Sequence, residues 1–287
     1  MLQLVQNVGT QAAVLQRTEG AATLGLRFSQ GRPRLFRLHQ QGACKIRLPK
    51  PLADDAIDAI LINTSGGLTG GDRLRWSIEL EPRTRAVVTT QACEKYYRSI
   101  GGTVDVGTHI GLGDDTALAW VPQESILFDG SSLTRRLDAD IAENARFLAV
   151  ESVIFGRRAM GETVRRAFLS DRWRVRRNGR LLHAEDLKLS GDIDTLLNRA
   201  SVAGGATAIA TVLVTFPDCG ELLPSLRNLL ESSSGASHVK TGAGDKIVVR
   251  IAAPTGFLLR RRLIPILDLS CRAVAGRNQQ LPKIWTM

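Results

Sequence analysis

Lysine is missing from the place where a nucleotide site would need it. Residues 65–74 read SGGLTGGDRL, and Gly66 and Gly71 have the spacing of a phosphate-binding loop, but Asp72 and Arg73 stand where Lys and Ser/Thr are required. A carboxylate facing a triphosphate repels it, so nucleotide binding at this turn is excluded. A dinucleotide fingerprint cannot be laid over Gly66, Gly67, Gly70 and Gly71 either. Cysteine is scarce: Cys44, Cys93, Cys219 and Cys271 lie far apart with no C-x-x-C pair, which argues against a zinc knuckle or redox motif and suits a reducing compartment. The four histidines, His39, His109, His183 and His238, include no H-x-H or H-x-x-x-H pair, so a tight structural zinc site has no support. There is no G-x-S-x-G elbow, and no Ser or Cys beside a convincing His and Asp set, which leaves hydrolase chemistry without a nucleophile. Aromatic residues make up only 5%, too few for a base-stacking track. No run approaches 18 apolar residues, and residues 1–17 lack a basic segment followed by a long apolar one. The expectation is a soluble, cytoplasmic protein bound to no membrane.

What is present is an apolar fraction of 44%, ample for a buried core in 287 residues, and a net charge of +10. The positive excess is mostly arginine, clustered at 157–158, 165–166, 172–180 and 260–262. Arginine pairs its planar fork with carboxylates at protein interfaces, so an acidic protein partner is the leading reading of this charge. A basic nucleic-acid-binding module is the rival, and steeply salt-dependent binding to random DNA would mark it.

Period-two alternation dominates the first two thirds. Leu24, Leu26 and Phe28, then Val104, Val106 and Ile110, then Leu118 and Trp120 alternate with smaller or polar neighbours, the pattern of strands. Gly and Pro recur at intervals suited to an all-β body. Asn178-Gly179 within residues 174–183 predicts a type I′ hairpin, and the apolar runs 207–216 and 246–252 predict two buried strands. Helix signals come late. Leu222, Leu223, Leu226, Leu229 and Leu230 share one helical face, with Pro224 in the first turn. A second helix is expected from an N-cap at Thr255 to a terminating Gly276, kinked near Arg261 and Arg262 or broken in two by Pro265. Residues 232–246 read as a flexible connector. The expected fold is mainly β, one domain over 1–287: a stacked, β-helix-like body over about 20–216, and a helical part over 217–287 with two helices and one returning strand.

Six carboxylates keep odd company: Asp72, Glu94, Glu124, Glu151, Glu162 and Glu185 sit among apolar or glycine-rich residues. Burying them is costly unless each is paired or bound to a cation. Salt bridges to the many arginines are one explanation; a polar passage through a β body, suited to a divalent metal held weakly by oxygen, is the other. A metal-dependent hydrolase using these groups would need a stoichiometric, tightly held metal.

Six motifs, NTSGGLTGGDRL (63–74), TTQACEKYYRS (89–99), WVPQESILFDG (120–130), FGRRAMGET (155–163), WRVRRNGRLL (173–182) and LPKIW (281–285), resemble in order and spacing the UreD urease accessory family, from about residue 20 to the C-terminus. Thr64-Ser65 depart from the prolines that members often carry before the first glycine pair. The resemblance implies a scaffold rather than an enzyme, which binds apo-urease and UreF and, through UreF, the GTPase UreG. It implies no tightly bound cofactor and no nucleic acid, with nickel as a transient passenger in an internal polar channel. It places Asp72, Glu94, Glu151 and Glu185 in the channel region. Gly66, Gly67, Gly70 and Gly71 would bend the backbone to aim Asp72 inward, with Lys95, Tyr97 and Arg98 as structural partners of that motif. Arg260, Arg261, Arg262 and Trp285 are the expected partner-binding residues on the helical side.

Overall fold

The computed structural model describes residues 16–50, 56–157, 160–276 and 281–285. Residues 1–15 of the N-terminal stretch read for targeting signals, and Arg158 of the arginine pair at 157–158, lie outside the described residues. A hairpin of β1 (Glu19–Ser29) and β2 (Arg32–Gly42) leads through β3 (Cys44–Arg47) to β4 (Ile57–Asn63). From there the chain winds between two sheets. β5 (Arg73–Leu80), β8 (Val104–Leu112), β11 (Ser132–Ile141) and β13 (Arg166–Arg177) stack in parallel in one sheet; β4, β6 (Arg85–Thr90), β9 (Ala117–Trp120) and β12 (Arg146–Phe155) stack in parallel in the other. Successive turns lie side by side in register: Arg73 beside Asp105, Val104 beside Leu133, and Ser132 beside Phe168. Two short strands, β7 (Glu94–Tyr96) and β10 (Ser125–Leu127), branch from the edge of β12. This is the expected β-helix-like body.

The sheets are then closed by antiparallel strands. β14 (Arg180–Asp192) folds back on β13 through Asn178 and Gly179, whose φ angles of 46° and 75° are those of a type I′ turn. β15 (Ala208–Thr215) and β17 (Gly244–Ala253) are the two expected apolar strands. Residues 232–246 are not a loose connector. They form β16 (Ser234–Thr241) and the turn into β17, so the C-terminal part contributes two strands rather than one. A short α1 (Ile193–Asn198), capped by the Asp192 carboxylate on the Thr195 N–H, was not foreseen.

The first leucine-rich helix shrinks to α2 (Leu223–Arg227), with Pro224 in its first turn as expected and only Leu226 fully inside. The second, α3 (Gly256–Ala275), starts where expected, with Thr255 accepting from the Leu258 N–H, and ends at Gly276. It is one continuous helix, not two. Leu259, Leu263, Ile266 and Leu267 form its buried face, while Pro265 and Arg261 lie on the exposed one, so the missing proline N–H falls on the solvent side of the helix. The β4-containing sheet is therefore covered on both sides. Leu24, Ile78, Ile110 and Trp173 meet Leu61, Val88 and Ala149 between the sheets. Val87, Leu148, Val150 and Val212 meet α3 on the far side.

Candidate functional site

The glycine turn belongs to the winding of the body. Gly67 has φ of 151°, and a Cβ there would lie 2.4 Å from the Tyr97 ring; one on Gly70 would lie 2.0 Å from the Ser99 hydroxyl. Leu68 donates its N–H to the Lys95 carbonyl and accepts from the Tyr97 N–H, which binds the turn to the EKYYRS motif. Asp72 closes this turn from within. One carboxylate oxygen accepts the Thr69 N–H at 2.7 Å and the other the Thr18 N–H at 2.8 Å, and the residue is only 3% exposed. The expectation that Asp72 is aimed into an interior passage is corrected by these bonds: both oxygens hold backbone, fixing the turn to the start of β1.

The other three acidic candidates are drawn toward one layer. A surface cleft of about 400 Å³, walled by Leu61, Asn63, Trp76, Thr90, Cys93 and Glu94, adjoins an inner cavity of about 50 Å³. Glu94 borders both. Its carboxylate accepts from the Asn63 side-chain amide at 3.0 Å, and burial raises it from 4.5 to about 7. Cys93 beside it donates to Glu124, and burial pushes this thiol up to about 12, so it is not a thiolate ligand. At the inner end stand Trp120, Ser125, Arg135 and Glu151. A volume of this size has room for one or two waters, between apolar side chains such as Leu74 and Val106 and the polar groups of Glu94, Arg135 and Glu151.

Arg135 is the hub of the inner end. Its guanidinium lies 2.5 Å from Glu151 Oε2 and 2.5 Å from Asp171 Oδ2, and donates to the Ser125 hydroxyl at 2.9 Å; all three charged side chains are 8% exposed or less. Glu151 Oε1 accepts from the Trp120 indole at 3.2 Å, and burial, against the pull of Arg135, raises this carboxyl from 4.5 to about 7. Asp171 Oδ1 has no hydrogen-bond donor among the described residues. Across the β4-containing sheet, Glu151 stands opposite Thr211 and Thr211 opposite Arg250. Arg250 donates to the Thr211 hydroxyl at 2.9 Å and to Glu185 at 2.5 Å. His183, 3.8 Å from Glu185, is held neutral: burial, with Lys246, Arg250 and Arg174 nearby, lowers it from 6.5 to about 4.

Glu94 and Glu151 thus border one pocket, and Glu185 lies beyond it, connected to Glu151 through Thr211 and Arg250. Arginine pairing accounts for Glu124 (Arg260), Glu151 (Arg135), Glu162 (Arg157) and Glu185 (Arg250), but not for Asp72 or Glu94. Arg135 and Asp171 were missed from the sequence. Each occupies an inward position of its strand, between Leu133 and Leu137 and between Leu169 and Trp173, so a charge in the apolar phase of the alternation was the available signal.

The expected partner-binding residues divide. Trp285 is fully buried, donating its indole N–H to the Val121 carbonyl at 3.0 Å. Arg260 stacks on it at 4.8 Å and is bonded to Gln123, Glu124 and the carbonyls of Ile284 and Trp285. Arg262 is tied to Glu231, Ser233 and the Ala252 carbonyl. These three staple the C-terminal segment and α3 to the body rather than offering themselves outward. Arg261 is exposed, as is Phe257 one turn earlier at 72%.

The sequence profile of the family described as UreD urease accessory protein matches residues 18–286. A urease accessory protein UreD of Brucella suis (strain ATCC 23445 / NCTC 10510) is 46% identical over 284 residues, covering 99% of this chain and all of the relative. The urease accessory protein UreD of Rhizobium leguminosarum bv. viciae is 47% identical over 273 residues, covering 95% of this chain and 96% of the relative. A urease accessory protein UreD 1 of Brucella abortus is 47% identical with 95% of both chains covered. With a profile spanning nearly the whole described chain, and relatives matched along their full length, this chain belongs to the UreD family of urease accessory proteins.

Proposed function

We propose that this chain is a non-enzymatic scaffold for urease maturation that hands nickel onward through the polar groups between its sheets. The observation that carries this reading is that Glu94 lines both a surface cleft and the adjoining pocket that reaches Glu151 and Arg135. Nickel is cargo: it enters partly hydrated, exchanges among carboxylates and water, and leaves, so no covalent bond is made or broken and no ion is held tightly. Apo-urease receives the ion, UreF binds this chain, and UreG docks through UreF in the cytoplasm. The exposed face of α3 carrying Phe257 and Arg261 is the UreF contact in this reading, since an apolar anchor beside an arginine suits a protein interface.

Glu94→Gln tests the transit reading, because it keeps size and the Asn63 contact while removing the charge. Urease matured with it is expected to contain several-fold less nickel, with the melting temperature of the variant undiminished and UreF still captured; full nickel loading would refute transit past Glu94. Phe257→Ser with Arg261→Glu is expected to abolish capture of UreF and to leave capture of urease intact. Retained UreF capture would move the contact elsewhere.

A further inference from the structure

Glu151 and Arg135 line the inner end of the pocket, and Asp171, which is not part of that lining, meets the same guanidinium. Arg135 bridges Glu151 Oε2 and Asp171 Oδ2, each at 2.5 Å, inside a layer where the three side chains are 6–8% exposed. One guanidinium balances only one ionised carboxylate, and a second buried negative charge is costly, which is why burial raises the Glu151 carboxyl to about 7. Asp171 Oδ1 is buried without any donor, so this side chain is only half satisfied by its arginine. The arginine hub is also incomplete, since its Nε finds no acceptor. Whenever Glu151 is ionised, the cluster is therefore short of one positive charge. Among the described residues no three His, Cys, Asp or Glu side chains group around a metal position, so an ion here would meet two carboxylates and water, a site easily left.

We propose that Arg135 is an exchangeable counter-ion, so that the Glu151–Asp171 pair selects divalent over monovalent cations in transit. This rests on the transit reading above. A monovalent ion gains nothing by displacing a guanidinium that already supplies equal charge and directed hydrogen bonds to both carboxylates. A divalent ion neutralises both at once and, once the guanidinium has moved off Asp171, can also use Asp171 Oδ1. Ser125, already 2.9 Å from Arg135 Nη1, is an acceptor that lies off the two carboxylates and can retain the arginine as it yields them. Charge selection is then a property of the arginine and not of pore width.

The test uses the purified full-length chain and Ni²⁺ alone, titrated with and without excess K⁺. Arg135→Gln is expected to bind Ni²⁺ about tenfold or more tightly, because the tethered competitor is gone, and K⁺ is expected to compete against it but not against the wild type. Arg135→Gln with Asp171→Asn should return Ni²⁺ affinity to the wild-type level or below. Unchanged affinity in Arg135→Gln, or a double variant that binds as tightly as the single one, would overturn the proposal. Should Arg135→Gln not fold, Asp171→Asn, which leaves the Arg135–Glu151 pair intact, is co-expressed with urease. Loss of most urease nickel is expected, and full loading overturns the exchange. Glu94→Gln in the same assay separates the two ideas: nickel lost with Glu94→Gln but kept with Asp171→Asn refutes the exchange alone, whereas nickel kept with both refutes transit itself.

Discussion

The two layers on either side of the β4-containing sheet are built on opposite terms. β12 supplies both, sending Leu148 and Val150 toward α3 and Ala149, Glu151 and Val153 toward the other sheet. Against α3 its neighbours are Leu259, Leu263, Ile266 and Leu267, all fully buried. Between the sheets its neighbours include Arg135 and Asp171. Burying an ion pair is at best neutral relative to apolar side chains of similar volume. Both layers bury an apolar core, and the inter-sheet layer differs in also burying charges.

That division is open to direct attack. The largest expected effect is from Arg135→Ala, which strands Glu151 and Asp171 without their cation at a cost of about 3–5 kcal/mol; the urea midpoint of unfolding reads it. Leu263→Ala cuts a cavity in the apolar layer and should cost roughly 2–5 kcal/mol by the same measurement. A second substitution at Glu151→Gln should recover part of the Arg135→Ala loss and none of the Leu263→Ala loss, if the layers are independent. Asp72→Ala removes the acceptor of two backbone N–H groups, and should cost about 1–3 kcal/mol while leaving the nickel content of matured urease, per soluble complex, unchanged. A specific loss of nickel with Asp72→Ala at full stability would return that residue to the passage.

The same layer also sets a pH dependence. The Glu94 carboxyl is raised from 4.5 to about 7, so between those values the folded chain holds a proton that the unfolded chain has lost, and stability falls as pH rises through the window. His183, lowered from 6.5 to about 4, acts in the opposite sense, adding stability as pH rises from about 4 to 6.5. Comparing Glu94→Gln with the wild type isolates the first. The two melting temperatures should agree below pH 4.5, and above pH 7 the variant should be the more stable. A constant difference at all pH values would place Glu94 in water.

Strand phase was legible in the sequence because burial on one or both faces leaves a periodic mark. Leu24 and Leu26, the Asn178-Gly179 hairpin and the caps of α3 follow from local chemistry alone. β16 was not legible: as an edge strand with only Ala236 buried, it is held by its backbone ladder to β17 and carries the composition of a loop. The leucines before β16 suggested a longer helix than α2, but Leu229 is exposed and Leu222, Leu223 and Leu230 are only partly covered. At the candidate site, Glu94, Glu151 and Glu185 came from motif position. Arg135 and Asp171 needed the strand phase, which fixes which of two adjacent arginines, Arg135 or Arg136, turns inward. Asp72 could not be placed by sequence, since an aspartate after two glycines serves equally to aim a charge or to tie a turn. Arg260 and Trp285 look like surface groups until the fold brings Glu124 and Val121 beneath them.

The account depends on the inter-sheet charges being there for the ion rather than for the fold. Replacing all three hub residues at once, Arg135→Met with Glu151→Leu and Asp171→Leu, and measuring both the melting temperature of the chain and the nickel content of urease matured with it, separates the two purposes. The account predicts a melting temperature at or above that of the wild type and urease almost without nickel. Urease fully loaded with nickel by this stable variant would contradict it.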